Sequence, residues 1–167
     1  EVNPLNQIPA LFIKPGKCYF DSDVILDYLD TLHEGSPLIP ELNRFECKTA
    51  IHLANGVIES TLLRTMELRR PECQQSKTYV AHLEARVMRG IDTMEKKRET
   101  KIGDWLNGEE ITTAVALSYV DFRFYTEWRK TAPTLETWFE RVSCRKSMEL
   151  TAPTRERPIA MIDKIRV

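Results

Sequence analysis

Chemistry in this chain has to come from few side chains. Four cysteines (Cys18, Cys47, Cys73, Cys144) and three histidines are the groups able to act as nucleophiles, bases or soft metal ligands near neutral pH. The cysteines are widely scattered, with no Cys-x-x-Cys and no spacing that pairs them with histidine. That pattern argues against a zinc site and a disulfide framework, and favours reduced thiols. No spacing couples a cysteine to a base, so no catalytic thiol is legible. The other informative cluster is Asp21-Ser22-Asp23. Asp or Ser immediately before an apolar-periodic run is a helix N-cap, and Asp23 suits the positive end of the helix that follows.

The elements that position these residues can be read from spacing. Ala10 to Ile13 and Lys17 to Phe20 read as two arms of a β-hairpin. Lys14-Pro15-Gly16-Lys17 joins them as a type II turn, in which Gly supplies the positive φ. Cys18 then sits mid-strand, as a small buried or half-buried side chain. Asp21 or Ser22 opens a helix whose apolar face is Val24, Ile25, Tyr28, Leu29 and Leu32. His33-Glu34-Gly35-Ser36-Pro37 ends it.

Everything after Pro40 reads helical. Residues 41–70 carry Phe45, Ala50, Ile51, Ala54, Ile58 and Leu62, with a bend at Asn55-Gly56. Residues 75–99 carry Tyr79, Leu83, Val87, Ile91 and Met94. After a break at Gly103 to Glu110, a third stripe runs through Ala114, Leu117, Val120, Phe124 and Trp128. Pro133 introduces a fourth helix with Leu135, Trp138, Phe139 and Val142, and the tail from Thr151 reads as irregular. Trp128 and Trp138 fit the core. Arg64, Arg69 and Arg70 read as a solvated face, and His52 as a surface or core-edge residue. A lone two-stranded hairpin is marginal in water. Residues 1–33 therefore read as the second half of a small α/β domain whose first half lies outside this sequence.

Composition narrows the classes. The chain has 167 residues, 42% apolar and 29% charged, with a net charge of −1. Acids and bases are interspersed, so no basic face argues for nucleic acid. No apolar run is long enough to span a bilayer, and Glu1 to Lys17 has no signal-peptide character. The expectation is a soluble, cytoplasmic protein without a metal.

The order of these elements, with Asn3-Pro4, Gln7-Ile8-Pro9-Ala10-Leu11, Asp21-Ser22, Val24-Ile25 and Tyr28-Leu29, resembles the cytosolic glutathione transferase family, its bacterial members in particular. Leu106-Asn107-Gly108-Glu109, Ile111-Thr112-Thr113-Ala114 and Pro133-Thr134-Leu135 with Trp138 and Arg141 support it. The implied fold is the C-terminal β-β-α half of a thioredoxin-like domain (residues 1–34) followed by an all-α C-terminal bundle (35–167). The implied activity is conjugation of the glutathione thiolate to a small electrophile, or glutathione-dependent reduction, in a detoxifying homodimer. A non-enzymatic binding or assembly protein on the same scaffold is the alternative.

The resemblance also implies a substrate-binding set of Gln7, Ile8, Pro9, Asp21 and Ser22. The Ile8 backbone would pair with the cysteinyl part of glutathione as an added strand does, with a cis Ile8–Pro9 bond. Asp21 and Ser22 would hold the γ-glutamyl end, its carboxylate received by the Ser22 hydroxyl and the helix N-terminus. Gln7 would add a polar contact. His52 and Asn55 lie where family members place a group reaching the partner's glutathione. The family's sulfur-activating Tyr, Ser or Cys would lie upstream of Glu1, so no residue here is assigned a catalytic role. At Thr112 the family pattern expects a capping box closed by an acid three residues on, where this chain has Val115. The lost bond would cost about 0.5–2 kcal/mol, so Val115→Asp is expected to stabilise.

Overall fold

The computed structural model describes residues 3–98, 103, 105–124 and 127–153. Strands β1 (Ala10–Lys14) and β2 (Lys17–Phe20) form an antiparallel pair with Leu11 opposite Tyr19 and Phe12 opposite Cys18. Gly16 sits in the turn at φ +76°, the conformation expected of it from sequence. Helix α1 (Ser22–Asp30) follows, and Asp21 is its N-cap: the carboxylate accepts the Asp23 N–H at 3.0 Å. Against the hairpin, the Tyr28 ring stands 5.0 Å from that of Tyr19. The predicted apolar face of α1 is mostly uncovered. Ile25 is buried, but Val24, Leu29 and Leu32 are exposed, and the helix ends before Leu32.

The connection to the helical part is tied at both ends. The Asp30 carboxylate accepts the Leu38 N–H and bonds the His33 ring, each at 3.0 Å. The Leu38 carbonyl in turn accepts the Gly108 N–H at 2.7 Å.

The helical part comprises α2 (Arg44–Leu68), α3 (Lys77–Lys97), α4 (Gly108–Arg123), the short α5 (Trp128–Thr131), α6 (Pro133–Ser143) and α7 (Lys146–Thr151). Helix α2 lies between α3 and α4, so it buries two sides, with Cys47, Ala54, Val57, Ser60 and Thr61 inside. Phe45 and Leu62, placed on its apolar stripe by periodicity, face out. The stripe of α3 is buried from Leu83 through Met94, with Tyr79 exposed, and α6 buries all four of its predicted core residues. Trp128 and Trp138 are both fully buried.

Several expectations are corrected. Helix α4 starts at Gly108, one turn earlier than a Thr112 cap allows. The Asn107 side chain accepts the Glu110 N–H and the Glu110 carboxylate accepts the Asn107 N–H, both at 3.0 Å. This capping box is complete. Thr112 lies inside the helix with its hydroxyl on the Gly108 carbonyl, so nothing is missing at Val115 and the ground for expecting Val115→Asp to stabilise disappears. Trp128 is not on the α4 stripe: α4 ends at Arg123, and the indole of Trp128 donates to Asp121 at 2.9 Å from the next helix. Arg64 is not on a solvated face, because α3 runs alongside it. Its Nε donates to Glu84 at 2.7 Å and its guanidinium stacks on Phe124. Helix α2 runs unbroken through Asn55-Gly56. Helix α7 continues to Thr151, and the rest of the tail expected to be irregular, residues 154–167, lies outside the described residues.

Candidate functional site

The loop before β1 is shaped by one buried amide. Asn3 is only 7% exposed; its Nδ2 donates to the Gln7 carbonyl at 2.8 Å and its Oδ1 accepts the Leu5 N–H at 2.9 Å. The Asn3 carbonyl also accepts the Asn6 N–H, and Asn6 sits at φ +51°, a region that Asn tolerates better than most residues. These bonds turn the chain so that Ile8 stands out, 84% exposed, before a cis Ile8–Pro9 peptide bond.

The second wall is the start of α1. Asp21, at φ +71°, caps the helix and leaves Ser22 as its first residue. Among the described residues the Ser22 hydroxyl has no recorded hydrogen-bond partner. Of the first-turn N–H groups that of Asp23 is taken by the Asp21 carboxylate, and Ser22 stands at the positive end of the helix dipole.

The two walls meet. Gln7, Ile8, Pro9, Asp21 and Ser22, the five residues singled out from sequence, line a single cavity together with Asn3, Leu5 and Phe20. It offers an outward peptide unit at Ile8, a carboxylate at Asp21, and a hydroxyl on a helix N-terminus at Ser22. That set suits a peptide-like ligand ending in an amino acid, which carries an ammonium and a carboxylate on adjacent atoms. Asn3 is the residue whose part was not legible. It sits in the Asn3-Pro4 pair, but its work is done by burial and by backbone bonds that sequence does not show.

Other expected residues fall elsewhere. His52 is exposed on α2, and Asn55 Nδ2 lies 3.5 Å from Asp23 Oδ1 in the same chain, next to Ser22. None of the cysteines lines the cavity. Cys47 is buried beneath the Leu38 carbonyl, and burial pushes its thiol up, away from the thiolate. Cys18 is half-buried in β2, while Cys73 and Cys144 are exposed among the helices. Among the described residues no group of three His, Cys, Asp or Glu could hold a metal ion, and no helix is long and apolar enough to cross a membrane.

Residues 1–37 match the family model of the glutathione S-transferase N-terminal domain. A glutathione transferase family member from Pseudomonas fluorescens Pf-5, solved with bound S-(propanoic acid)-glutathione, is 35% identical with a TM-score of 0.85. The match covers 92% of this chain and 80% of that one. In its glutathione-bound form the TM-score is 0.87, over 92% and 77% of the two chains at 34% identity. The Escherichia coli protein described as the uncharacterized GST-like protein YibF is 28% identical, over 93% of this chain and 79% of its own.

Proposed function

This chain belongs to the glutathione transferase family, and from that premise we propose that it binds glutathione in the cavity between the Gln7–Pro9 loop and the start of α1. The observation that carries this is the convergence of Gln7, Ile8, Pro9, Asp21 and Ser22 on one cavity. The Ile8 backbone pairs with the cysteinyl residue, the Ser22 hydroxyl and helix N-terminus take the γ-glutamyl carboxylate, and the Asp21 carboxylate faces the ammonium. Gln7 adds a polar contact. Residues 1–34 form part of a thioredoxin-like domain and residues 35–167 the all-α domain.

Glutathione then serves as co-substrate, its thiolate conjugated to a small electrophile or used in a reduction, as a detoxifying homodimer in the cytoplasm. The residues of this chain supply binding and proximity, which hold the sulfur in line for attack. None of them is assigned to activate the sulfur. A non-catalytic binding role on the same scaffold is the second reading. Calorimetry with glutathione tests the site. Ser22→Ala is expected to weaken binding about tenfold or more, the loss of a hydrogen bond to a charged group, with the melting temperature nearly unchanged. Undiminished binding by the variant overturns the assignment. Turnover of a model electrophile by the wild-type protein separates the enzyme from the binding protein.

A further inference from the structure

We propose that His33 is a proton-operated clasp on the segment joining α1 to the helical part, closed while its ring is neutral and open once the ring is charged. The segment needs such a holder. His33-Glu34-Gly35-Ser36-Pro37 follows the end of α1, and among the described residues these five make no hydrogen bond from backbone to backbone. A ring holds the span instead: the Gly35 N–H donates to His33 Nδ1 at 2.9 Å. A backbone N–H can only donate, so Nδ1 is the bare nitrogen and the ring proton sits on Nε2. There it faces the Asp30 carboxylate at 3.0 Å. One backbone donor thus fixes both the tautomer and the neutral ring. The approach is close enough to suit glycine, since a Cβ on Gly35 would stand 3.0 Å from Nδ1.

Charging the ring means protonating Nδ1, which sets two N–H groups against each other across that 2.9 Å contact. One of them has to leave, and the groups around the ring decide which. Asp30 of α1 is the carboxylate bonded to the ring, and its pair with an imidazolium is charge-assisted. Trp105, ahead of α4, stands 5.8 Å from the imidazole between ring centres, a range at which an indole attracts a cation. Glu34, next in the chain, is exposed and among the described residues makes no ion pair with the ring. Asp30 and Trp105 therefore keep the charged ring in place, and the Gly35 N–H is the group that withdraws to water.

The anchors on either side do not use Nδ1. Asp30 also accepts the Leu38 N–H, and the Leu38 carbonyl accepts the N–H of Gly108, the first residue of α4. Acid thus frees the span between His33 and Leu38 while both of its ends stay tied. None of these groups lines the cavity proposed to bind glutathione, so the clasp stands or falls apart from that reading.

Nitrogen NMR of the full chain from about pH 8 to about pH 5, the interval in which histidines change charge, tests this. At the upper end the His33 ring is expected to show the Nε2–H tautomer, with a nitrogen–nitrogen coupling across the bond from Gly35. As the ring takes its proton, that coupling should vanish. The backbone order parameters of Gly35 and Ser36 should fall with it, from about 0.85 to below about 0.6, while that of Leu38 holds. His33→Ala, which lacks the bond at every pH, should show the low values throughout. An Nδ1–H tautomer at about pH 8 or a ring that stays neutral to about pH 5 overturns the proposal. So does a coupling or a rigid span that outlasts protonation, or a span equally rigid in His33→Ala.

Discussion

Trp128 and Trp138 in the helical part are fully buried, whereas Phe12, Leu29 and Leu32 in the hairpin and α1 are 66%, 42% and 63% exposed. The two parts put their polar groups to different use as well. In the helices, polar side chains tie elements together. Glu95 accepts the N–H groups of Thr134 and Leu135 at the start of α6, and Asp121 holds both Trp128 and Arg129. In the hairpin part, Asn3 and Asp21 bend the backbone around a cavity instead. Buried packing is thus concentrated in the helices, while the cavity proposed to bind glutathione lies in the hairpin and α1. Lesions in one part should leave the other property largely intact.

The strongest way to break that division is through the core. Trp138 is sealed, with the Arg98 guanidinium stacked 4.2 Å from its ring. Trp138→Ala is expected to cost about 3–5 kcal/mol in urea unfolding, through lost packing that includes the stacking of Arg98. Its indole N–H is buried without an acceptor among the described residues. Trp138→Phe should therefore cost clearly less, since it removes an unsatisfied donor while keeping most of the ring. Equal losses for the two variants would mean that the indole bonds something and that the packing account is incomplete.

A smaller effect of the opposite kind is expected at Asn3. Asn3→Ala removes two hydrogen bonds that shape the loop before Ile8, worth about 0.5–1.5 kcal/mol each. The loop sits outside the helical core, so the cost should appear mainly as weaker glutathione binding in calorimetry. Global unfolding should move less than it does for Trp138→Ala. A variant that binds normally would place the control of the Ile8 backbone elsewhere.

How much of this was legible follows from how local each signal is. Pro15-Gly16 and the residues on either side specify the hairpin within a few positions, and Pro133 with its four apolar partners specifies α6. Asn107 and Glu110 also carry a local signal, a capping box that opens α4 about a turn before Thr112. Helix α2 is legible as a helix over 41–70, but its buried face is not: contact with both α3 and α4 puts Cys47, Val57, Ser60 and Thr61 inside, while Phe45 and Leu62 face out. Trp128 kept helical spacing across a helix end, and only its bond to Asp121 shows where it belongs. In the candidate site the five proposed binding residues come from the resemblance, and the structure adds that they line one cavity. Asn3's part was not legible, since it depends on burial between residues that sequence leaves merely adjacent.

The smallest expected effect sharpens the same comparison through pH. Glu67, near the end of α2, is buried; it accepts the Ser76 N–H at 2.7 Å at the start of α3, and Arg70 lies 3.2 Å away. The bond from Ser76, followed by Arg70, holds its carboxyl below the usual carboxylate range. A group with a lowered folded pKa binds fewer protons folded than unfolded in the window between the two values. Its stabilisation is therefore complete above the ordinary carboxylate range and is lost as pH falls through that window. Glu67→Gln removes the titration, so its melting temperature should fall less steeply than that of the wild type below about pH 4.5. Glutathione affinity at neutral pH should not change, because Glu67 ties α2 to α3 and takes no part in the cavity beside α1. A shift in affinity would show that the two parts are coupled through α2.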